Sequence, residues 1–176
     1  MSIEMFNYLL ALGTVIGQIA LIAGLAVYVF LPKQRGQLLA FIQQYGIAIA
    51  FVIALASTLL SLFYSDVMGY EPCTLCWWQR IFIYPQIVLL GLALWKREKL
   101  IVDYALVLLG IGLLISLYQV YLQVGGAPVG ACGVGSVSCT KLYVMEFGYV
   151  TIPMMALTGY LLMIGSLIGV KLSENK

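Results

Sequence analysis

Charged residues divide this chain into long neutral runs. Residues 5–32 carry no charge, nor do 36–65, 81–95, 104–140 and 147–170. A helix that crosses a bilayer needs roughly 20 mainly apolar residues, and all but one of these runs are long enough unaided. The exception, 81–95, suffices only if it begins near Trp77 and takes Arg80 about one turn inside the helix. A central Arg costs on the order of 2.5–3.5 kcal/mol on the insertion scale, and less near an end. The pattern predicts spans at Leu9–Leu31, Leu39–Tyr64, Trp77–Trp95, Tyr104–Leu122 and Thr151–Val170. All are expected to be helices, because an open sheet leaves backbone groups unsatisfied in lipid. The links Pro32–Leu38 and Lys96–Asp103 are short and polar, whereas Ser65–Cys76 and Gln123–Val150 are longer.

Composition supports that reading. The 176 residues are 63% apolar and 9% charged, with a mean hydropathy of +1.05. So few charges cannot cover a water-facing globule of this size, and disorder requires low hydrophobicity. A net charge of +2 gives no reason to expect nucleic acid as a partner, and the absence of His excludes His-based catalysis and His-ligated metals. The first apolar run has Glu4 and no basic residue before it, and no A-x-A site follows. It is therefore expected to be a retained helix rather than a signal peptide. Gly110-Ile111-Gly112 reads as helix packing.

Basic residues orient the bundle. Lys33, Arg35, Lys96, Arg97, Lys99, Lys171 and Lys176 fall on one side, and only Arg80 and Lys141 on the other. The positive-inside rule makes the first side cytoplasmic. The N-terminus is then outside and the C-terminus inside, with Trp77 and Trp78 at one interface and Trp95 at the other.

With that orientation all four cysteines face outward, where disulfides persist. Cys73 and Cys76 lie in Glu71-Pro-Cys-Thr-Leu-Cys-Trp-Trp-Gln-Arg80, just before the third span. Unpaired N–H groups and the dipole at a helix N-terminus favour a thiolate. Arg80 lies one turn beyond Cys76 on the same helix face. Its charge suits a Cys76 thiolate or a carbonyl oxygen of a small ligand, at the depth of a lipid-soluble quinone head group. The plainer readings are a structural disulfide, part of a zinc site, and an Arg that snorkels to the interface. Cys132 and Cys139 sit in QVGGAPVGACGVGSVSC, a Gly-rich loop. A disulfide between them would close a small exposed ring of the exchangeable kind. Gln79 and Gln86 are expected to make interhelical hydrogen bonds, Pro85 to kink its helix, and Tyr118, Gln119 and Tyr121 to anchor the interface.

Pro72-Cys73-Thr-Leu-Cys76-Trp-Trp-Gln-Arg80 resembles the signature of the DsbB family of disulfide-bond formation proteins, and Thr151-Ile-Pro153-Met-Met-Ala-Leu-Thr-Gly159 resembles the start of its last helix. The likeness covers roughly residues 39–170 and is nearest the short-loop branch typical of Gram-positive bacteria. It implies an all-α integral membrane protein: a four-helix redox core over 39–172, an additional N-terminal transmembrane helix with its link over 1–38, and a tail over 173–176. It also implies a quinone-dependent protein-disulfide oxidoreductase in the bacterial cell membrane. Cys73 and Cys76 would be the quinone-proximal pair, with Cys76 nearest the ring. Arg80 would bind the quinone, menaquinone or ubiquinone. Cys132 and Cys139 would meet a DsbA-like extracytoplasmic thioredoxin-fold partner. Gln79 stands where the best-known members carry an acid. The competing expectation is a transporter or adaptor with two structural disulfides on its outer face.

Overall fold

The computed structural model describes residues 3–96, 98, 100–127 and 138–174. Five helices follow in order: α1 Ile3–Phe30, α2 Pro32–Leu62, α3 Thr74–Lys96, α4 Leu100–Gln123 and α5 Ile152–Glu174. A five-residue π-helical turn, Phe63–Val67, prolongs α2. All five helices are long and apolar enough to cross a membrane, as the neutral runs predict. The protein is all-α and integral to the membrane.

Two boundaries differ from expectation. Pro32–Leu38 was expected to be a link, yet α2 begins at Pro32, and Leu31 alone separates it from α1. Proline at the first helical position costs no hydrogen bond and has its φ preset. The 31 residues of α2 span roughly 46 Å at 1.5 Å per residue, well beyond a hydrocarbon core of about 30 Å. Its Lys33–Arg35 turn therefore continues into the polar layer as helix. At the other end α3 starts at Thr74 rather than Trp77, so Cys76 lies inside its first turn.

α2 packs on α5 and α3, and α4 on α3 and α5, which closes a ring of four helices. Ala50, Ala54, Leu90, Val102, Leu109, Tyr160, Met163 and Leu167 fill its middle. Small residues set the approach distances, as membrane helix packing requires. A β-carbon added at Gly112 would lie 2.4–2.6 Å from the Tyr160 ring, and one at Gly46 2.6 Å from Val170. Of the predicted Gly110–Gly112 pair, Gly112 makes the contact, while Gly110 faces open space.

α1 lies outside the ring against α5 and α2. Gln18 fixes it to α5: its Nε2 donates to Thr158 Oγ1 at 3.1 Å, and its Oε1 accepts from Tyr149 Oη at 2.8 Å. Asn7 Oδ1 accepts from Tyr64 Oη at 2.8 Å, beyond the C-terminal end of α2. α1 thus runs antiparallel to α2 and parallel to α5.

Candidate functional site

Cys73 caps α3. Its carbonyl accepts the first helical bond, from the Trp77 amide at 3.1 Å, which places Cys76 third in the helix. The two Sγ atoms are 3.0 Å apart, and both thiols are free. One turn of helix brings an N-cap side chain over the third helical residue, so the C-x-x-C spacing and the capping geometry are one arrangement. Cys73 is buried and Cys76 half-buried. The Cys73 thiol is pushed well above the ordinary thiol range, first by its hydrogen bond with Cys76 and then by burial. The amides of Leu75 and Cys76 pull the other way without reversing it.

Gln119, on α4, completes this arrangement. Its Nε2 lies 3.3 Å from both Cys73 Sγ and Cys76 Sγ. Its Oε1 accepts from Gln79 Nε2 on α3 at 2.7 Å, and Tyr160 Oη of α5 donates to the Gln79 carbonyl at 2.9 Å. Gln79 thus bonds between helices as expected, and Gln86 reaches the Ala105 carbonyl of α4 at 3.5 Å. Gln119 was expected to be an interface anchor; it is instead only 2% exposed and turned inward. An amide in an apolar helix must find partners when buried, and here the partners are Gln79 and two sulfurs. Tyr121, by contrast, is half-exposed.

Arg80 is held by α2. Its Nε donates to Ser61 Oγ at 3.0 Å and one Nη to the Ser61 carbonyl at 3.1 Å. Its guanidinium lies 5.1 Å from the Trp77 ring centroid. It does not simply snorkel to water: with Cys76 it lines a cavity of about 370 Å³. Ser61 had no signal in the sequence beyond being a polar residue in an apolar run. The cavity walls are mainly apolar, with Gln79, Ser57 and Ser61 among the polar groups. Its size and mainly apolar lining suit a small organic ligand. A quinone head group fits this donor set, because Arg80 and Cys76 bring a cation and a sulfur to one mainly apolar cavity.

Cys139 is disulfide-bonded and buried in one cluster with Cys73, Leu75 and Leu122. Cys132 lies outside the described residues. The segment after Cys139 is tied to the Cys73 loop by stacked rings, Tyr64 on Tyr70 and Tyr70 on Tyr143, with centroids 5.7 and 4.5 Å apart. Tyr143 Oη also donates to the Glu71 carbonyl at 3.2 Å. The fold therefore gathers Cys73, Cys76, Arg80 and Cys139 at one end of the bundle. Among the described residues no three Cys, Asp or Glu side chains converge as metal ligands would.

Comparison with known proteins agrees with this geometry. Residues 43–166 match the family described as disulfide bond formation protein DsbB. The chain is 40% identical over 127 residues to the probable disulfide formation protein C 2 of Bacillus cereus, covering 70% of this chain and 89% of that protein. It is 38% identical over 122 residues to the SPbeta prophage-derived disulfide bond formation protein B of Bacillus subtilis, covering 69% and 81%. To the probable disulfide formation protein of Chlamydia pneumoniae it is 42% identical over 122 residues, covering 68% and 87%. No solved structure matches. A capped C-x-x-C under an Arg-lined cavity, in a chain with this likeness over most of its length, belongs to the DsbB family of membrane disulfide oxidoreductases.

Proposed function

We propose that this protein reoxidises an extracytoplasmic thioredoxin-fold thiol protein of the DsbA type and passes the electrons to a membrane quinone. The observation that carries the reading is the neighbourhood of Cys76 and Arg80 on one ligand-sized cavity, with disulfide-bonded Cys139 packed into the Cys73 cluster. Both cysteine pairs face outward in this reading.

A thiolate of the reduced partner attacks the Cys132–Cys139 disulfide, whose S–S bond breaks as a mixed disulfide forms. The partner's second thiol displaces it and leaves with the new disulfide. Cys132 is the entry sulfur in this scheme. The reduced loop pair then repeats the exchange on Cys73–Cys76, through Cys139 and Cys73. Each exchange moves two electrons and two protons and creates as many S–S bonds as it breaks. Quinone, when bound, supplies a two-electron, two-proton acceptor. The chain's own residues prepare that transfer. The hydrogen bond with Cys76 and burial disfavour the Cys73 thiolate, and Cys76, which lines the cavity with Arg80, is the nucleophilic sulfur in this scheme. Gln119 donates to it, Arg80 offers a fixed charge to a carbonyl oxygen, and the apolar walls exclude water.

The test is quinone reduction by purified protein, followed by the quinone absorbance change when a reduced thioredoxin-fold donor is added. Cys76→Ser should abolish quinone reduction. Arg80→Gln should raise the quinone requirement about tenfold or more, given about 1.5–3 kcal/mol for a hydrogen bond to a charged group. A wild-type protein that oxidises one equivalent of donor and never consumes quinone would refute the proposal.

A further inference from the structure

The family match begins at residue 43, so α1 stands outside it, yet α1 forms part of the cavity wall. Leu9, Leu10, Gly13 and Thr14 line the same space as Cys76 and Arg80. The placement is pinned on both sides of that segment. Asn7 bonds Tyr64 below it, and Gln18 bonds Thr158 above it. Gly17 seats α1 closely on α5, where an added β-carbon would lie 2.9 Å from Leu162. A β-carbon added at Gly13, one turn earlier, would meet nothing within 4 Å. One glycine therefore brings the helices together, and the next leaves room on the cavity side.

We propose that α1 is a working wall of the quinone site and that Gly13 keeps open the volume taken by the ring or the first unit of its apolar tail. This rests on the quinone reading above. The Thr14 hydroxyl is spent within its own helix, donating to the Leu10 carbonyl at 2.9 Å. Leu9, Leu10 and Gly13 therefore give the wall apolar surface, and Thr14 offers it no free donor. Arg80 and Cys76, which line the same cavity, supply the polar recognition.

The experiment measures quinone binding rather than turnover. In full-length Cys76→Ser protein, a short-tailed ubiquinone is titrated while it quenches Trp fluorescence, with Trp77 beside Arg80 as a reporter. Gly13→Leu should raise the Kd about tenfold, the scale of overfilling a packed site. It should leave the thermal unfolding midpoint undiminished, since leucine favours helix over glycine and its β-carbon meets no protein atom. Thr14→Leu, which gives up a hydrogen bond within its own helix, should also weaken binding and serves if Gly13→Leu fails to fold. Gly24→Leu adds the same bulk to α1 at a glycine that also faces open space and does not line the cavity; it should bind as the parent does. Wild-type Kd in Gly13→Leu and Thr14→Leu alongside weakened binding in Arg80→Gln would overturn the role of α1 and leave the quinone site standing. An equal loss in Gly24→Leu would overturn it too, by tracing the effect to helix docking. Absence of quinone quenching in the parent would remove the site and the proposal together.

Discussion

Gln119 has its polarity fixed by a neighbour. Gln79 Nε2 occupies its Oε1, so only its NH₂ can face Cys73 and Cys76. A donor aimed at both sulfurs favours charge on the pair. Hydrogen bonds to charged groups contribute about 1.5–3 kcal/mol. Gln119→Leu should accordingly slow alkylation of Cys76 by iodoacetamide at neutral pH about tenfold, with Gln119→Glu slower still because a carboxylate repels a thiolate. Rates measured in the Cys73→Ser background test this, and an unchanged rate would reduce Gln119 to packing. The cysteines and Arg80 were legible because their relation is local, set by helix spacing within one segment. Gln119 was not, since it lies 43 residues beyond Cys76 and its role depends on how α4 is rotated against α3. The available signal was an amide in the uncharged run 104–140, where Gln119 and Gln123 are the two side-chain amides, a group that burial obliges to find a partner.

At the scale of elements, the neutral runs located all five helices but misplaced their ends. Hydropathy marks where lipid stops, and α2 extends past that point to Pro32 because proline is tolerated at the first helical position. Packing distance was partly legible. Two glycines spaced i, i+2 cannot share a face, so only one of Gly110 and Gly112 could meet a neighbour, and Tyr160 determines which. Gly112→Val should lower the thermal unfolding midpoint in detergent, at a cost of about 1–3 kcal/mol for overpacking. Gly110→Val should leave it within about 0.5 kcal/mol, because an added β-carbon there meets nothing within 4 Å. A similar loss in both would show that backbone propensity, not the Tyr160 contact, governs the effect.

For the whole molecule, the proposed orientation places the N-terminus and both cysteine pairs outside. An impermeant maleimide applied to intact cells should label Ser138→Cys and spare Glu98→Cys, each in a background without native cysteines; the reverse pattern would invert the topology. The two ends of the ring also differ in kind. At the cysteine end it encloses a cavity. Beyond the cavity Leu90, Val102, Leu109 and Leu167 of the middle layer are fully buried, and further toward the other end Gly46 and Gly169 press α2 against α5 at distances that admit no side chain. That end works as an electrical and chemical insulator. In the proposed orientation it separates an oxidising sulfur relay from the cytoplasm by close-packed side chains. In that orientation a small cytoplasmic thiol meets packed side chains rather than the cavity, which guards the relay against being short-circuited from that side.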